Sequence, residues 1–294
     1  MSPKPFAYEW MTKYTHQEEW IEGRGVFLWL AFFFSEIGAG IYFISLFLNF
    51  RSGWVTGWLL SLILGGLVHL AYLGNPMRSW RVFLRPKSSE LSRGLWAILL
   101  FAVFGFFQVL PVVIPAVPWS GENVVLKTIT GILCILLITH GFLTMHVVKA
   151  LAMWNSAMMI PLSLSSGICL GSQAVVFMVA MSDGNLAVPE LWARWSLIAY
   201  MLVVGMFLLG NAHASAAARK SVQSLLSGEL AVRFYVGILG IGIVVPLIIT
   251  FIGWGAGISA LSGALLFFRM ACVVAGDLTM RHSVMKAAIY APVI

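Results

Sequence analysis

The side chains able to carry out chemistry in this sequence gather toward one end of its apolar stretches. Eight stretches are long enough to span a bilayer. Threading them back and forth places every histidine in the half of the membrane that holds both termini, here called side A. Ionisable groups in hydrocarbon are costly and usually functional. A one-sided cluster suggests a site for a molecule that enters from the lipid and exchanges protons or electrons at one surface. The histidines are His16, His69, His140, His146, His213 and His282.

Buried charges extend this set. Glu36 lies about ten residues into the first stretch, roughly 15 Å along a helix. A carboxylate at that depth must be paired, protonated or facing a water-filled cavity, so Glu36 is a candidate proton acceptor. The alternative is a structural ion pair with Arg269 in the last stretch, and both roles are compatible. The other candidates for proton transfer are His140, His146, Arg269 and Asp277.

The composition requires these groups to be positioned by membrane helices. Of the 294 residues, 60% are hydrophobic and only 10% are charged, whereas soluble domains carry about a quarter charged residues. The sequence therefore predicts an all-α integral membrane protein with no soluble domain and no nucleic-acid partner. We expect an N-terminal interfacial segment at 1–25, a transmembrane domain at 26–276 and a C-terminal tail at 277–294.

The eight stretches place both termini on the same side. The first and fifth share a loose pattern, "FFSEIGAGIYFISL" against "LSLSSGICLGSQAVVF", which is compatible with two four-helix bundles but does not establish a repeat. The predicted spans are 26–49, 54–74, 94–114, 125–148, 157–181, 193–214, 232–252 and 254–276.

Basic residues orient the chain in the membrane. Side A carries 14 of them and the opposite side 3, with Arg269 inside the last span. The positive-inside rule then places side A in the cytoplasm. Five of the 14 lie in the loop between spans 2 and 3, and that loop is an alternative explanation for the excess because it can dock a partner.

That loop also carries a resemblance. Residues 69–96 read "HLAYLGNPMRSWRVFLRPKSSELSRGLW", and two further segments are "WNSAMMIPLSLSSG" at 154–167 and "FFRMACVVAGD" at 267–277. These segments resemble the NrfD/PsrC family of polysulfide-reductase-type membrane subunits and the related DMSO-reductase anchor subunits. In the first segment the matching residues are Tyr72, Leu73, Gly74, Pro76, Arg78, Trp80, Leu84, Pro86, Ser88, Ser92, Arg93 and Gly94.

The resemblance implies a quinone- or quinol-interacting anchor in a prokaryotic cytoplasmic membrane. Such a subunit exchanges electrons between menaquinone or ubiquinone and a ferredoxin-like iron–sulfur subunit, which is joined to a catalytic, often molybdopterin, subunit. Proton translocation is a further expectation, and the chain would not be a stand-alone enzyme. The expected quinone-binding residues are His69, Tyr72, Arg78 and Glu36. The expected docking residues are Arg78, Arg81, Arg85 and Arg93.

One position departs from the relatives. The DMSO-reductase branch places a histidine directly before its LGxPxR motif, where this chain has Tyr72. His69 lies three residues earlier and therefore on the same helical face. Imidazole changes charge near neutral pH, which suits proton exchange with a quinol, whereas a tyrosine can donate a hydrogen bond to a quinone oxygen. Either residue is a candidate for this contact.

Two other functions remain open. A b-type cytochrome anchor would hold haem between histidines on facing helices, and His69, His140, His146 and His213 could supply one such pair near side A. A proton-coupled transporter with no redox role would instead use the buried charges as substrate sites. No metal bound by this chain is expected, because its three cysteines are isolated within spans, and any iron–sulfur clusters would belong to the partner.

Overall fold

The computed structural model describes residues 9–14 and 17–291. Within them, eight helices are long and apolar enough to cross a membrane, so the chain is an all-α, multi-pass membrane protein, as predicted. We number these helices in chain order. They are α1 (Gly25–Leu48), α2 (Arg51–Tyr72), α3 (Glu90–Val113), α4 (Val124–His146), α5 (Met159–Met181), α6 (Ala187–Ala214), α7 (Arg233–Ala256) and α8 (Gly263–Lys286).

Short elements fill the connections and bring the two ends of the chain together. Strand β1 (Lys13–Tyr14) pairs antiparallel with β2 (Ile289–Tyr290), and Leu151 in the α4–α5 connection bridges to Tyr290. The described segments before α1 and after α8 therefore lie on the same side, as an even number of crossings requires. The remaining short elements are the helices Glu18–Ile21 and Ala216–Leu226 and the 3-10 segments Glu9–Met11, Pro76–Leu84 and Ile258–Ala260.

The long helices pack as two groups of four, α1–α4 and α5–α8. The central helices are α1 and α5. In their most apolar 18-residue stretches, 78% and 61% of the residues are buried, against 22% in α2 and 28% in α3. They cross at glycines, since a Cβ built on Gly40 would lie 2.1 Å from the Gly167 carbonyl oxygen. Small residues at such crossings allow the helix backbones to touch. The outer helices α2 and α3 consequently present apolar side chains toward lipid.

The last helix differs from the prediction. It was expected at 254–276, but α8 runs from Gly263 to Lys286 and α7 continues to Ala256. Gly257 turns the chain with a φ of +86°, and the Ser262 hydroxyl accepts a hydrogen bond from the Leu265 amide to start α8. As a result, the section after residue 276, expected to be a tail, continues the membrane helix for about three turns.

Candidate functional site

A cavity of about 500 Å³ lies at the side A end of the first helix group. Helices α1, α2 and α3 form its walls, and the segment Pro76–Leu84, here called the roof segment, covers it from side A. Its lining is mostly aliphatic. Leu67 and Leu70 line the cavity and are 58% and 48% exposed, so the cavity is open along the membrane-spanning helix α2. An apolar cavity of this size with a few polar groups is typical of a small-molecule site.

His69 and Tyr72 are prominent polar residues of this lining. They lie one helical turn apart at the side A end of α2, as their spacing predicts. Nε2 of the His69 ring is buried and has no hydrogen-bond partner in the described part of the chain. A buried polar nitrogen without a partner costs free energy, so its persistence beside a cavity is typical of a ligand-binding position.

The backbone of α2 is irregular directly below these residues. Leu60–Leu64 form a π-helical turn, and Ser61, Leu62 and Ile63 within it line the cavity. The Ser61 hydroxyl donates to the Ser35 carbonyl oxygen at 3.1 Å, which fixes the turn against α1. Such π-turns are frequent at functional sites, although α7 also contains a longer π-helical stretch, Arg233–Val244, which does not line the cavity.

The roof segment has two faces. Ser79, Val82 and Phe83 point into the cavity, whereas Met77 and Trp80 are 86% and 57% exposed on the opposite face. The Trp96 indole nitrogen donates to the Phe83 carbonyl oxygen at 3.0 Å and ties the segment to α3. A single layer of residues therefore separates the cavity from side A.

The four predicted docking arginines divide into two kinds. Arg78, Arg81 and Arg85 are exposed, and no ion pair is formed by them among residues 9–14 and 17–291. The guanidinium of Arg93 instead binds its own loop. It donates to the Pro86 and Lys87 carbonyl oxygens at 2.9 and 3.0 Å and forms an ion pair with Glu90. Arg78 lies on the exposed side of the roof segment and not among the cavity-lining residues, so no contact places it at the predicted quinone site.

The two histidines of α4 lie at different depths. His140 is 5% exposed, and its Nε2 has no hydrogen-bond partner in the described chain. The ring of Phe32 packs edge-on against both His140 and His69, with centroid distances of 5.5 and 5.4 Å. His146 lies at the side A end of α4, where its backbone carbonyl accepts from the Asn155 amide. His140, and not His146, is thus joined to the cavity through an aromatic contact.

Glu36 belongs to a buried ionic cluster at the interface of the two helix groups. Its Oε1 lies 2.5 Å from Nη2 of Arg281. The Arg281 Nε donates to Oδ2 of Asp277 at 2.5 Å, and the Ser166 hydroxyl donates to Oδ1 at 2.5 Å. Each of the four residues is at most 3% exposed. The expected pairing of Glu36 with Arg269 is therefore wrong, because α8 begins later than predicted and places Arg281 at the depth of Glu36.

Arg269 forms a second buried cluster near the opposite membrane surface. Its Nη1 and Nη2 donate to Oε1 and Oε2 of Glu190 at 2.9 and 2.8 Å, and Nη1 also donates to the Thr250 hydroxyl at 3.2 Å. This two-pronged geometry is the strongest form of an arginine–carboxylate pair. Arg269 lies twelve residues from Arg281, roughly 18 Å along α8, and is remote from the cavity.

The remaining histidines lie apart from these clusters. His213 is exposed at the end of α6, where its Nδ1 contacts the Leu209 carbonyl oxygen. His282 is in α8, within 3.0 Å of the Arg233 guanidinium, and His16 lies outside the described residues. Within the described chain, no group of three or more His, Cys, Asp or Glu side chains is arranged to hold a metal ion. A haem held by His69 and His140 would have to displace Phe32, which packs against both rings.

Sequence reasoning missed three residues of the site. Arg281 was counted as a loop charge, while Glu190 and Phe32 were not considered. A usable signal was Ser262 followed by an apolar run, a common helix start, which would have placed Asp277 and Arg281 four residues apart inside the last span. Glu190 had a weaker signal, an acidic residue in the first turn of a membrane helix.

The arrangement joins a lipid-facing apolar cavity, an unpartnered imidazole and a buried carboxyl pair. It can therefore hold a small apolar molecule and exchange protons with it. Among known proteins, no family model matches the chain, and no curated protein matches it either.

Proposed function

We propose that the chain is a quinone-interacting membrane anchor subunit of a multi-subunit oxidoreductase, related to the NrfD/PsrC family. In this proposal it passes electrons between the quinone pool of a prokaryotic cytoplasmic membrane and an iron–sulfur subunit docked on side A. That subunit connects to a catalytic subunit, of which the molybdopterin type is the first candidate. The quinone is an exchangeable substrate, either menaquinone or ubiquinone.

The observation that carries the proposal is the cavity under the roof segment. Its lining comes largely from the segment 69–96 that resembles the family, including His69, Tyr72 and the roof residues. It is apolar, opens toward lipid and has an unpartnered ring nitrogen, which are the properties that a lipid-soluble quinone requires. A transporter for a hydrophilic substrate would need a more polar lining.

The chemistry assigned to the site is proton exchange. Oxidation of a quinol to a quinone releases two electrons and two protons. In the proposal, Nε2 of His69 accepts a proton from one quinol hydroxyl, and Tyr72 hydrogen-bonds to the ring. Glu36 receives protons farther inside, because its cluster contains two carboxyl groups but one guanidinium. Burial makes a net charge costly, so the cluster is most stable with one additional proton.

The electrons leave through the thin roof. The exposed guanidinium groups of Arg78, Arg81 and Arg85 surround this face and suit a partner with an acidic surface. Arg93 supports the same surface indirectly, since its contacts with Pro86 and Lys87 hold the loop in shape.

Isolation from native membranes tests the proposal. The chain, extracted in mild detergent, should bring with it an iron–sulfur subunit and a large catalytic subunit, without a haem Soret band. Replacing Arg78, Arg81 and Arg85 together by Gln should abolish this co-purification. Arg51→Gln is the matched control, because Arg51 is an exposed arginine on the opposite side. Recovery of the chain alone, folded and metal-free, would refute the anchor and favour a proton-coupled transporter, and a Soret band would favour the haem-containing anchor.

A further inference from the structure

The imidazole of His140 occupies space that only a glycine leaves open. Gly94 lies in the second turn of α3, beside Arg93 of the basic loop. A Cβ built on Gly94 would lie 1.8 Å from Cε1 and 1.9 Å from Nδ1 of His140. These separations are far below any van der Waals contact, so every other residue at position 94 would force the His140 ring to move. The glycine and the histidine therefore form one structural unit.

His140 is poorly explained as a packing residue. It is 5% exposed, and Nε2 of its ring has no hydrogen-bond partner in the described chain. An unpaired buried nitrogen destabilises the fold, and an aliphatic residue would fill the same space without that cost. A buried, unpartnered imidazole is more typical of a group that exchanges protons.

Phe32 connects this unit to the cavity and to the ionic cluster. Its ring contacts His69, which lines the cavity, and His140 at nearly equal centroid distances, with interplanar angles of 73° and 90°. Phe32 and Arg281 also both line a void of about 10 Å³, which is the space of one water molecule. Phe32 therefore touches both imidazoles, and the void on which it borders also touches Arg281, the partner of Glu36.

We infer that His140 is a second proton-carrying group of the site, and that Gly94 and Phe32 are its positioning residues. The inference rests on the proposed function and extends it. Each of the two quinol protons in turn is taken by His69 and passes through intervening water to Nε2 of His140 and then to Glu36, which releases the first proton before the second arrives. Water is needed because no hydrogen bond joins these groups in the described chain. Each step moves one proton and no electron, and both imidazoles return to their starting state. The two electrons leave separately to the docked iron–sulfur subunit.

A double-mutant cycle tests this inference in the complex isolated from native membranes. The variants are Gly94→Ala, His140→Ala and the double substitution. The probe is 2,3-dimethyl-1,4-naphthoquinol, with ferricyanide as electron acceptor and the protein-free rate subtracted. Both single variants should lower kcat by about 10²-fold, the usual contribution of a positioned acid–base group, and leave KM within about twofold. The control is Gly205→Ala in α6, since a Cβ there meets nothing within 4 Å.

The cycle also separates positioning from packing. In the His140→Ala background the space is free, so Gly94→Ala should lower neither kcat nor the unfolding temperature further. Additive losses would show that Gly94 serves helix packing alone and would overturn its positioning role. If Gly94→Ala fails to assemble, His140→Ala still decides the outcome, because full kcat in that variant would refute the relay.

The proposed function has its own failure signature. A wild-type complex that neither oxidises the quinol nor binds a hydroxyquinoline N-oxide quinol analogue would overturn the quinone site, and the relay with it. Normal wild-type turnover that is lost in His69→Ala but kept in His140→Ala would leave the quinone site intact and overturn only the relay.

Discussion

Two buried arginines on the same helix show how similar residues come to serve different roles. Arg269 pairs with Glu190 through two hydrogen bonds and is further satisfied by Thr250, so its cluster is electrically balanced. Arg281 faces both Glu36 and Asp277, so its cluster has two carboxyl groups for one guanidinium. A balanced pair holds helices together, whereas an unbalanced one has room for an additional, exchangeable proton.

Within the unbalanced cluster the two carboxyl groups are held differently. Both oxygens of Asp277 accept hydrogen bonds, from Arg281 and Ser166. Oε1 of Glu36 is near the guanidinium but has no hydrogen bond of normal geometry. Asp277 is therefore the more firmly held of the two carboxyl groups, and this difference supports Glu36 as the proposed site of the exchangeable proton. The difference between the two arginines predicts the following effects, from the largest to the smallest.

Breaking the balanced pair should damage the fold most. Arg269→Met leaves Glu190 buried without a partner, which typically destabilises a protein by about 3–5 kcal/mol. We expect little folded protein in membranes and a strongly lowered unfolding temperature in detergent. Combining Arg269→Met with Glu190→Leu should restore most of the stability, because an apolar replacement of both members is often neutral. Wild-type stability of the single variant would contradict a structural role for this pair.

Neutralising Glu36 should instead spare the fold and impair turnover. Glu36→Gln removes the surplus carboxylate and leaves Arg281 paired with Asp277. We expect an unfolding temperature equal to or above that of the wild type, with quinol oxidation reduced by about 10²-fold. Undiminished turnover would contradict the proton-transfer role of Glu36. Unfolding as ready as that of Arg269→Met would contradict the different roles assigned to the two arginine clusters.

Neutralising Asp277 should give a mixed result. Asp277→Asn leaves Glu36 as the only counter-ion of Arg281, which keeps it ionised and unable to exchange its proton. The Ser166 and Arg281 hydrogen bonds to the carboxylate are weakened as well. We expect a turnover loss comparable to that of Glu36→Gln together with a modest fall in unfolding temperature. Turnover at the wild-type rate would show that Glu36 does not depend on this charge balance.

The smallest effect belongs to the exposed pair of Arg51 and Glu122 on the opposite side. The hydrogen bond and charge of Arg51 hold the pKa of Glu122 below its usual value. A lowered pKa means that the pair stabilises the fold at neutral pH and loses this contribution as acid protonates Glu122. Because solvent screens both side chains, Glu122→Gln should not change the unfolding temperature measurably between pH 7 and pH 4. A clear change would show that exposed pairs matter here as well.

The number of membrane helices and the shared helical face of His69 and Tyr72 could be predicted from the sequence. The arginine that pairs with Glu36 could not. Hydropathy located eight helices, and the one-turn spacing of His69 and Tyr72 predicted that they share a helical face, which the structure shows to line the cavity. The start of α8 was missed because the apolar composition hardly changes between Trp254 and Gly263, so only local turn residues mark the break. That shift decided which arginine meets Glu36.

Other features depend on contacts between distant segments. The glycine at position 94 is part of the matched motif, but the motif does not show why a glycine is needed there. The need comes from His140 in another helix, whose ring leaves no space for a Cβ. The inward turn of Arg93 likewise separates it from the exposed arginines with which it was grouped. Sequence spacing predicts which side chains are neighbours within one helix, but it does not predict contacts between different helices.

The most direct test of the central claim is the binding of a quinol analogue to the cavity. A hydroxyquinoline N-oxide, titrated against the purified complex by fluorescence quenching, should bind the wild type and the His213→Ala control with equal affinity. His213 is an exposed histidine on the same side and lies away from the cavity lining. His69→Ala should weaken binding about tenfold or more, because the ring nitrogen that meets the analogue is lost. Equal binding by His69→Ala and the wild type would contradict a quinone site under the roof segment.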